Sequence, residues 1–385
     1  MKSFGQKMAS IVICMICNSC YQSSMKVESL LNEIWYGKKP IRFLSILLLP
    51  FSLLYGFLSY LRSLLFSLGM KKTAKLPVPV ISIGNISVGG TGKTPLVIYI
   101  AEFLQSRGKK VAVVSRGYKG KRDGTKVNVV SSGECQKLLP VALAGDEATL
   151  LAERLPGVAV LVGNDRVALG EYAVKKLAAQ VIIVDDGFQH LRLHRDLNIC
   201  LVDEIRGLGN LLPLPAGPLR EFPPAIGRAD IIVTSHSSVA GKLPEKTARI
   251  LKKTGKSLVV VRYLPQLLLQ GGAILPLSLL QDRRVLAFCG LGNPQSFRNT
   301  LCQLGVNCVD LHSFGDHHEF SLSDVEFLEK LARERRTEMI ITTEKDAVKL
   351  KKFPHFFKGI FILRISLSPQ EGNEYLQAII RAVGI

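Results

Sequence analysis

Val78-Pro79-Val80-Ile81-Ser82-Ile83-Gly84-Asn85-Ile86-Ser87-Val88-Gly89-Gly90-Thr91-Gly92-Lys93-Thr94 is the stretch on which the fold turns. An apolar, β-branched run leads into a glycine-rich turn, and a helix-like stretch, Pro95–Leu104, follows. Strand, Gly-rich turn and helix start in that order form the setting of a phosphate-binding P-loop. Glycines let backbone N–H groups close around a polyphosphate, and the helix N-terminus favours negative charge. The candidate nucleotide-binding residues are therefore Ser87, Val88, Gly89, Gly90, Thr91, Gly92, Lys93 and Thr94. Lys93 is expected to reach the β/γ-phosphates, and the Thr94 hydroxyl to hold Mg²⁺. The usual pattern opens with Gly, whereas this one opens with Ser87.

Beyond this stretch, short β-branched runs alternate with amphipathic ones. Val111–Ser115, Val158–Val162, Val181–Val184, Ile199–Val202 and Ile231–Thr234 read as strands. Asp146–Arg154 and Val167–Ala179 read as helices between them. This is the pattern of βαβ units on a mostly parallel sheet. Leu212–Pro224, rich in Pro and Gly, reads as a loop. A second α/β set follows: strands at Val285–Cys289, Val306–Leu311, Met339–Thr342 and Ile360–Ile365, and a helix over Ser321–Arg336 capped by Ser321 or Ser323. Ser257–Tyr263 and Gly359–Ser366 are candidates to pair as a connection between two lobes, and Glu371–Val383 reads as a closing helix.

The strand Val181–Val184 ends in Asp185-Asp186, the acidic strand end expected beside a P-loop. A strand delivers its terminal side chains to the carboxyl edge of the sheet, where one carboxylate can meet the Mg²⁺ of Thr94. Gly145-Asp146-Glu147 opens a helix. Its acids suit the helix dipole, but phosphoryl transfer to a hydroxyl also needs a proton acceptor, and Asp serves for that. Asp316-His317-His318-Glu319 lies in a loop, where a His beside a carboxylate can act as a base near neutral pH. Thr342-Thr343-Glu344-Lys345-Asp346 reads as a capped helix start or a second-lobe contact to nucleotide or substrate. His190 and His194 share an i, i+4 spacing but show no third ligand for zinc.

The 385 residues are 47% apolar and carry a net charge of +19. That length suggests about two to three domains. The charge points to an anionic partner, and with no nucleic-acid-binding motif present, anionic lipid or phosphate is favoured over nucleic acid. Cys135, Cys200, Cys289, Cys302 and Cys308 sit in apolar contexts and read as reduced thiols, while Cys14-x-x-Cys17-x-x-Cys20 lacks further ligands nearby.

Phe43–Leu61 carries no charge, is flanked by basic residues on both sides, and as a helix spans roughly 28 Å. It is expected to anchor the chain at a membrane, across it or in its interface. Lys2, Lys7 and the apolar Met8–Cys17 look like a signal core. Residues 1–24 are read instead as a dispensable extension, with Met25 as an alternative start.

Taken together, Gly84–Thr94, Ser115-Arg116-Gly117-Tyr118, Gly145-Asp146-Glu147, Asp185-Asp186-Gly187-Phe188-Gln189-His190, Leu219-Arg220-Glu221, Asp316-His317 and Thr342–Asp346 resemble the tetraacyldisaccharide 4′-kinase family. The match runs from about Trp35 through the second lobe, and Ser87 looks like that family's own variant. The resemblance implies an α/β fold: a mostly parallel P-loop NTPase-like lobe and a smaller α/β lobe joined by a β linker, with an N-terminal membrane helix. The chain then divides into an extension (1–24), an anchoring region (25–77), a P-loop lobe (78–256), linker strands with the second lobe (257–370), and a closing helix (371–385).

The implied activity is transfer of the ATP γ-phosphate to the 4′-hydroxyl of tetraacyldisaccharide 1-phosphate. This would form lipid IVA for lipid A, at the cytoplasmic face of a bacterial inner membrane. The implied cofactors are ATP and Mg²⁺. The partners would be the lipid substrate and an anionic membrane surface, with no nucleic acid, and a monomer is expected. Carried onto this chain, Lys93 and Thr94 hold phosphates and Mg²⁺. Asp146 is the base, supported by His317 as a dyad, and Asp185, Asp186 and Glu221 serve the metal. The match to Asp-His favours His317 over His318. The rival is a membrane-associated regulatory P-loop ATPase or GTPase. Against a GTPase, no Asn-Lys-x-Asp occurs, and Phe188 stands where Asp-x-x-Gly needs glycine.

Overall fold

The computed structural model describes residues 34–37, 42–117, 127–134, 139–236, 243–369, 381 and 384. The Cys14/Cys17/Cys20 triplet, the 1–24 extension, Tyr118, Cys135 and all of the expected closing helix but Arg381 lie outside the described residues.

The uncharged N-terminal run forms one long helix, α1 (Arg42–Ser67), with Pro50 inside it. The β-branched runs then become strands: β1 (Val80–Gly84), β2 (Val111–Ser115), β3 (Asn128–Ser131), β4 (Ala159–Val162), β5 (Val181–Asp185), β6 (Leu197–Asp203) and β7 (Ile231–His236). Helices α2 (Lys93–Ser106), α3 (Asp146–Arg154) and α4 (Arg166–Leu177) lie between them in sequence, and α5 (Glu245–Lys253) follows β7. The second set comprises β8 (Ser257–Gln270), β9 (Ala273–Leu275), β10 (Arg284–Cys289), α6 (Pro294–Gln303), β11 (Asn307–Ser313), α7 (Leu322–Glu334), β12 (Met339–Thr343), α8 (Glu344–Leu350) and β13 (Phe361–Pro369).

These strands form one continuous sheet in the order β11-β10-β12-β13-β8-β7-β6-β1-β5-β2-β4-β3, with β9 beside β8. Pairing is parallel except at β13–β8, β3–β4 and β8–β9. Central strands buried on both faces explain the unbroken apolar runs. One core packs α2 and α3 on one face of the first half, and a second packs α4 on the other. The second half repeats this with its own two cores.

Strand β8 joins the halves. Ser257–Arg262 pairs parallel with β7, and Val261–Leu269 pairs antiparallel with β13. The expected pairing of Ser257–Tyr263 with the Gly359–Ser366 run is shifted along both strands: Leu264–Leu269 lies opposite Ile362–Ser366, while Val261–Tyr263 lies opposite Leu367–Pro369. Helix α7 is capped by Ser321, not Ser323. Ser321 accepts from the Asp324 N–H and Asp324 returns a bond to the Ser321 N–H, which closes a capping box.

In the first half, β1 lies between β5 and β6, and in the second β10 lies between β11 and β12. Chain order reverses at both places, so both are switch points, and ligands of α/β sheets bind at the strands' carboxyl ends there. The P-loop follows β1, and Gly290-Leu291-Gly292-Asn293-Pro294 follows β10. The two turns meet: a Cβ built on Gly292 would come within 3.0 Å of the Gly90 nitrogen.

Candidate active site

The meeting switch points enclose a cavity of about 290 Å³ lined by the P-loop, α3, the linker strands, the Gly290–Pro294 turn, His317 and the start of α8. In the P-loop, Gly92 caps α2 in the left-handed region at φ 79°. A side chain there would overlap the Tyr263 hydroxyl, which donates to the Gly92 carbonyl at 2.9 Å. Glycine is thus required both by backbone conformation and by close approach. Asn85 Nδ2 donates to Thr91 Oγ1 at 2.9 Å, and Lys93 Nζ lies 3.4 Å from Asn85 Oδ1 and 3.6 Å from Asp186 Oδ1. The lysine is already aimed across the turn.

Strand β5 delivers the two aspartates to different tasks. Asp186, at φ 53°, accepts from Arg220 Nη1 at 2.8 Å and faces Lys93. Asp185 is buried. Ser115 Oγ donates to its Oδ2 at 3.3 Å, and its Oδ1 has no hydrogen-bond partner among the described residues. Burial, with the neighbouring Glu147 and Asp186 charges, pushes the Asp185 carboxyl up to about 7. A buried carboxylate with one oxygen unpartnered among the described residues, on the strand beside the one that leads into the P-loop, fits a divalent cation, which would relieve that repulsion. Asp185 and Thr94 are the donors that suit it, whereas Asp186, also expected to serve the metal, is engaged instead by Arg220 and Lys93.

Across the cleft, Asp146 opens α3 and Gly145 precedes it at φ 87°. His317 Nδ1 donates to Asp146 at 2.9 Å (Oδ2) and 3.2 Å (Oδ1), because an ionised carboxylate can only accept. Lys345 Nζ lies 3.4 Å from His317 Nε2, 3.2 Å from Asp316 and 3.4 Å from Glu147. Burial works against the Asp146 charge. The His317 hydrogen bond and the charges of His317, Lys345 and Lys349 outweigh it and hold the carboxyl well below the usual carboxylate range. Burial likewise opposes the Lys345 charge, but Glu147, Asp316, Asp146 and Asp346 hold that ammonium above its ordinary range.

His317 sits at φ 57°, a left-handed backbone that costs a non-glycine residue about 1 kcal/mol or more. His318 does different work: it pairs with Asp324 at 3.0 Å and stacks on Phe314. Of the two histidines, His317 is the one at the cleft.

Glu221 departs from expectation. Both of its oxygens accept from Arg228 at 2.7 Å, and Arg228 also donates to Ser63 on α1 at 3.0 Å. The Glu221 carboxylate is taken up by a bidentate pair that ties the loop to α1, so the metal role is withdrawn.

Sequence reasoning assigned no role to Tyr263, Asn85, Arg154 or Lys349. Arg154 Nη1 meets Glu344 Oε2 at 2.6 Å, Glu344 Oε1 meets Arg364 Nε at 2.7 Å, and Lys349 meets Asp346 at 2.8 Å. The legible signal was the i, i+4 spacing of Lys345 and Lys349, which places two cations on one face of α8. Asp346 ties that helix to the second switch point, accepting from the Gly290 N–H at 2.9 Å and from Thr343 Oγ1 at 2.9 Å.

The same chain is similar to known proteins along most of its length. Residues 44–383 match the family model described as tetraacyldisaccharide-1-P 4'-kinase. The tetraacyldisaccharide 4'-kinase of Syntrophus aciditrophicus is 39% identical over 91% of this chain and 98% of its own length. That of Geobacter metallireducens is 43% identical over 79% of this chain and 88% of its own. The crystal structure of LpxK from Aquifex aeolicus in complex with ATP superposes with a TM-score of 0.69 at 37% identity, covering 88% of this chain and 99% of that one. A P-loop facing an Asp–His pair across one cleft, in a chain matched this far by such relatives, leads to one assignment: the chain belongs to the tetraacyldisaccharide-1-P 4'-kinase family.

Proposed function

We propose that this protein transfers the γ-phosphate of ATP to the 4′-hydroxyl of tetraacyldisaccharide 1-phosphate, forming lipid IVA, at the cytoplasmic face of a bacterial inner membrane. One observation carries the reading: the phosphate-binding Lys93 and the proton-accepting His317 line the same cavity from opposite halves of the sheet.

The P-loop amides and Lys93 would bind the phosphates, with Asn85 and Asp186 holding Lys93 in place. Thr94 and Asp185 would hold Mg²⁺, which when bound offsets charge on the phosphate oxygens. The Asp146–His317 pair accepts the hydroxyl proton as a unit: Asp146 supplies the negative charge and fixes the imidazole, and His317 faces the cleft. Lys345 anchors the pair through Asp316 and Glu147. With both reactants bound, walls contributed by both halves would limit the access of water, which disfavours loss of the phosphoryl group to hydrolysis.

The membrane location is supported by α1. Leu44–Ser67 is long and apolar enough to cross a membrane, and Phe51, Leu54, Phe57 and Leu58 are exposed. Its other face rests on the body through Ser52, which donates to the Pro213 carbonyl at 2.6 Å, and Arg62, which donates to the Gln189 carbonyl at 3.2 Å. Such a helix, with a net charge of +19, suits an interface of anionic lipid. The regulatory ATPase or GTPase reading draws no support from the family assignment.

The test is phosphate transfer from γ-labelled ATP to tetraacyldisaccharide 1-phosphate in detergent micelles, with Lys93→Ala and Asp146→Ala beside the wild type. Labelled lipid from the wild type and its loss in both variants is expected. A folded, ATP-binding wild type that labels no lipid would overturn the substrate assignment.

A further inference from the structure

Lys93, Arg116, Arg154 and Lys345 are the lysines and arginines lining the cleft. Three of them are matched to carboxylates: Lys93 to Asp186 at 3.6 Å, Arg154 to Glu344 at 2.6 Å, and Lys345 to Asp316 at 3.2 Å. Arg116 is not. Its side chain makes no ion pair or hydrogen bond to any described residue, although it is half-buried in a wall that also carries Glu147 and Asp186.

The backbone that carries Arg116 is well held. It follows Ser115, the last residue of β2, whose hydroxyl bonds Asp185 and whose carbonyl accepts from the Gly163 N–H at 3.1 Å. Gly117 comes next at φ 63°, where a Cβ would meet Val162 at 2.9 Å and the Ala144 carbonyl at 3.1 Å. β2 and β5 are parallel neighbours with Val114 opposite Val184. Arg116 therefore leaves the sheet level with Asp186, one strand away from the partner of Lys93.

A partly desolvated guanidinium is costly without an anion, and its planar fork suits phosphate oxygens bidentately. We infer that Arg116 is a phosphate-binding residue of this cleft, contacting a terminal phosphate group of one of the reactants. Two groups offer that chemistry: the transferring phosphoryl group of the nucleotide and the acceptor's own 1-phosphate. The inference rests on the kinase reading above.

The test measures kcat and both KM values for wild type, Arg116→Gln and Arg116→Lys, using γ-labelled ATP and tetraacyldisaccharide 1-phosphate in micelles, with thermal unfolding to check the fold. Wild-type labelling of the lipid separates failure of this inference from failure of the kinase reading. A fall in kcat on the order of 100-fold, or a raised KM for ATP, with the lipid KM unchanged, assigns Arg116 to the transferring group. A lipid KM raised about tenfold or more with kcat retained assigns it to the acceptor phosphate. Partial recovery in Arg116→Lys is expected in either case, since the charge remains while the fork is lost. Folded Arg116→Gln with all three parameters within about twofold of wild type would overturn the inference.

Discussion

Asp146 and His317 stand 171 positions apart in sequence and 2.9 Å apart in space. If they accept the proton as one unit, their removals do not add. Asp146→Ala and His317→Ala are each expected to lower kcat by about 10²–10⁴-fold, and the double variant by little more than the worse single one. Losses that multiply would show two independent roles. The depressed Asp146 titration also has a stability consequence. A carboxyl whose folded pKa lies below its unfolded value near 3.9 contributes stability that is fully present above that value and is lost as pH falls through the folded one. The melting-temperature advantage of wild type over Asp146→Asn should therefore hold between pH 7 and about pH 5 and shrink below about pH 4. An advantage that grows on acidification would contradict the assignment. At this scale the sequence was informative where residue type limits the chemistry, as with Lys93 and Thr94 after a glycine-rich turn. It was uninformative for Glu221, because nothing in Leu219-Arg220-Glu221 shows that Arg228 will occupy both carboxylate oxygens.

The P-loop and α1 show how an element's neighbours decide what its residues can be. Gly92→Ala forces a Cβ into the left-handed region and against Tyr263. ATP affinity should fall about fivefold or more by calorimetry while the protein stays folded, since holding Ala in the left-handed turn costs about 1 kcal/mol or more, and the loop relaxes away from its phosphate-binding shape. In α1, Gly56 sits in a helix interior, where replacement by Ala ordinarily adds about 1 kcal/mol of stability. Here the added Cβ would lie 2.5 Å from Phe222 and 2.8 Å from Pro213, so overpacking should outweigh propensity and Gly56→Ala should lower the melting temperature. Serine at Phe51, Leu54, Phe57 and Leu58, on the exposed face, should leave the melting temperature unchanged and abolish co-sedimentation with anionic vesicles. Persistent co-sedimentation would place the membrane contact elsewhere. The existence of α1 was legible from an uncharged run of helical length. Its docked face was not, because Ser52, Gly56 and Ser59 acquire meaning only against Pro213, Phe222 and Arg220.

Across the whole molecule, the two halves are held by β8 and by ion pairs between α3 and α8. Arg154 meets Glu344, Glu153 meets Lys351 at 2.6 Å, and Glu147 meets Lys345. Arg154→Ala leaves Glu344 with Arg364 alone, and a loss of about 1–3 kcal/mol in denaturant unfolding is expected for this buried, charge-assisted contact. A loss below about 0.5 kcal/mol would mean that Glu344 and Arg364 suffice. The continuous sheet explains the shared cavity: β8 pairs with β7 up to Arg262 and with β13 from Val261 onward, so Tyr263 stands where the strand passes from one half to the other and reaches back to Gly92.

By itself the sequence determined the parallel α/β architecture, the P-loop, the acidic strand end and the long apolar helix. Each rests on local spacing: period-two and period-3.6 patterns, glycines where φ is positive, and an uncharged run of sufficient length. Only the tertiary structure decided that, among the described residues, Asp185 keeps one oxygen unpartnered while Asp186 holds Lys93 and Arg220, that His317 and not His318 meets Asp146, that Glu221 belongs to Arg228, and that Arg116 stands in the cleft wall with no described carboxylate paired to it. These outcomes depend on which side chain reaches a given charge first across a folded cleft. That distance is set by strand order and helix packing, not by separation along the chain.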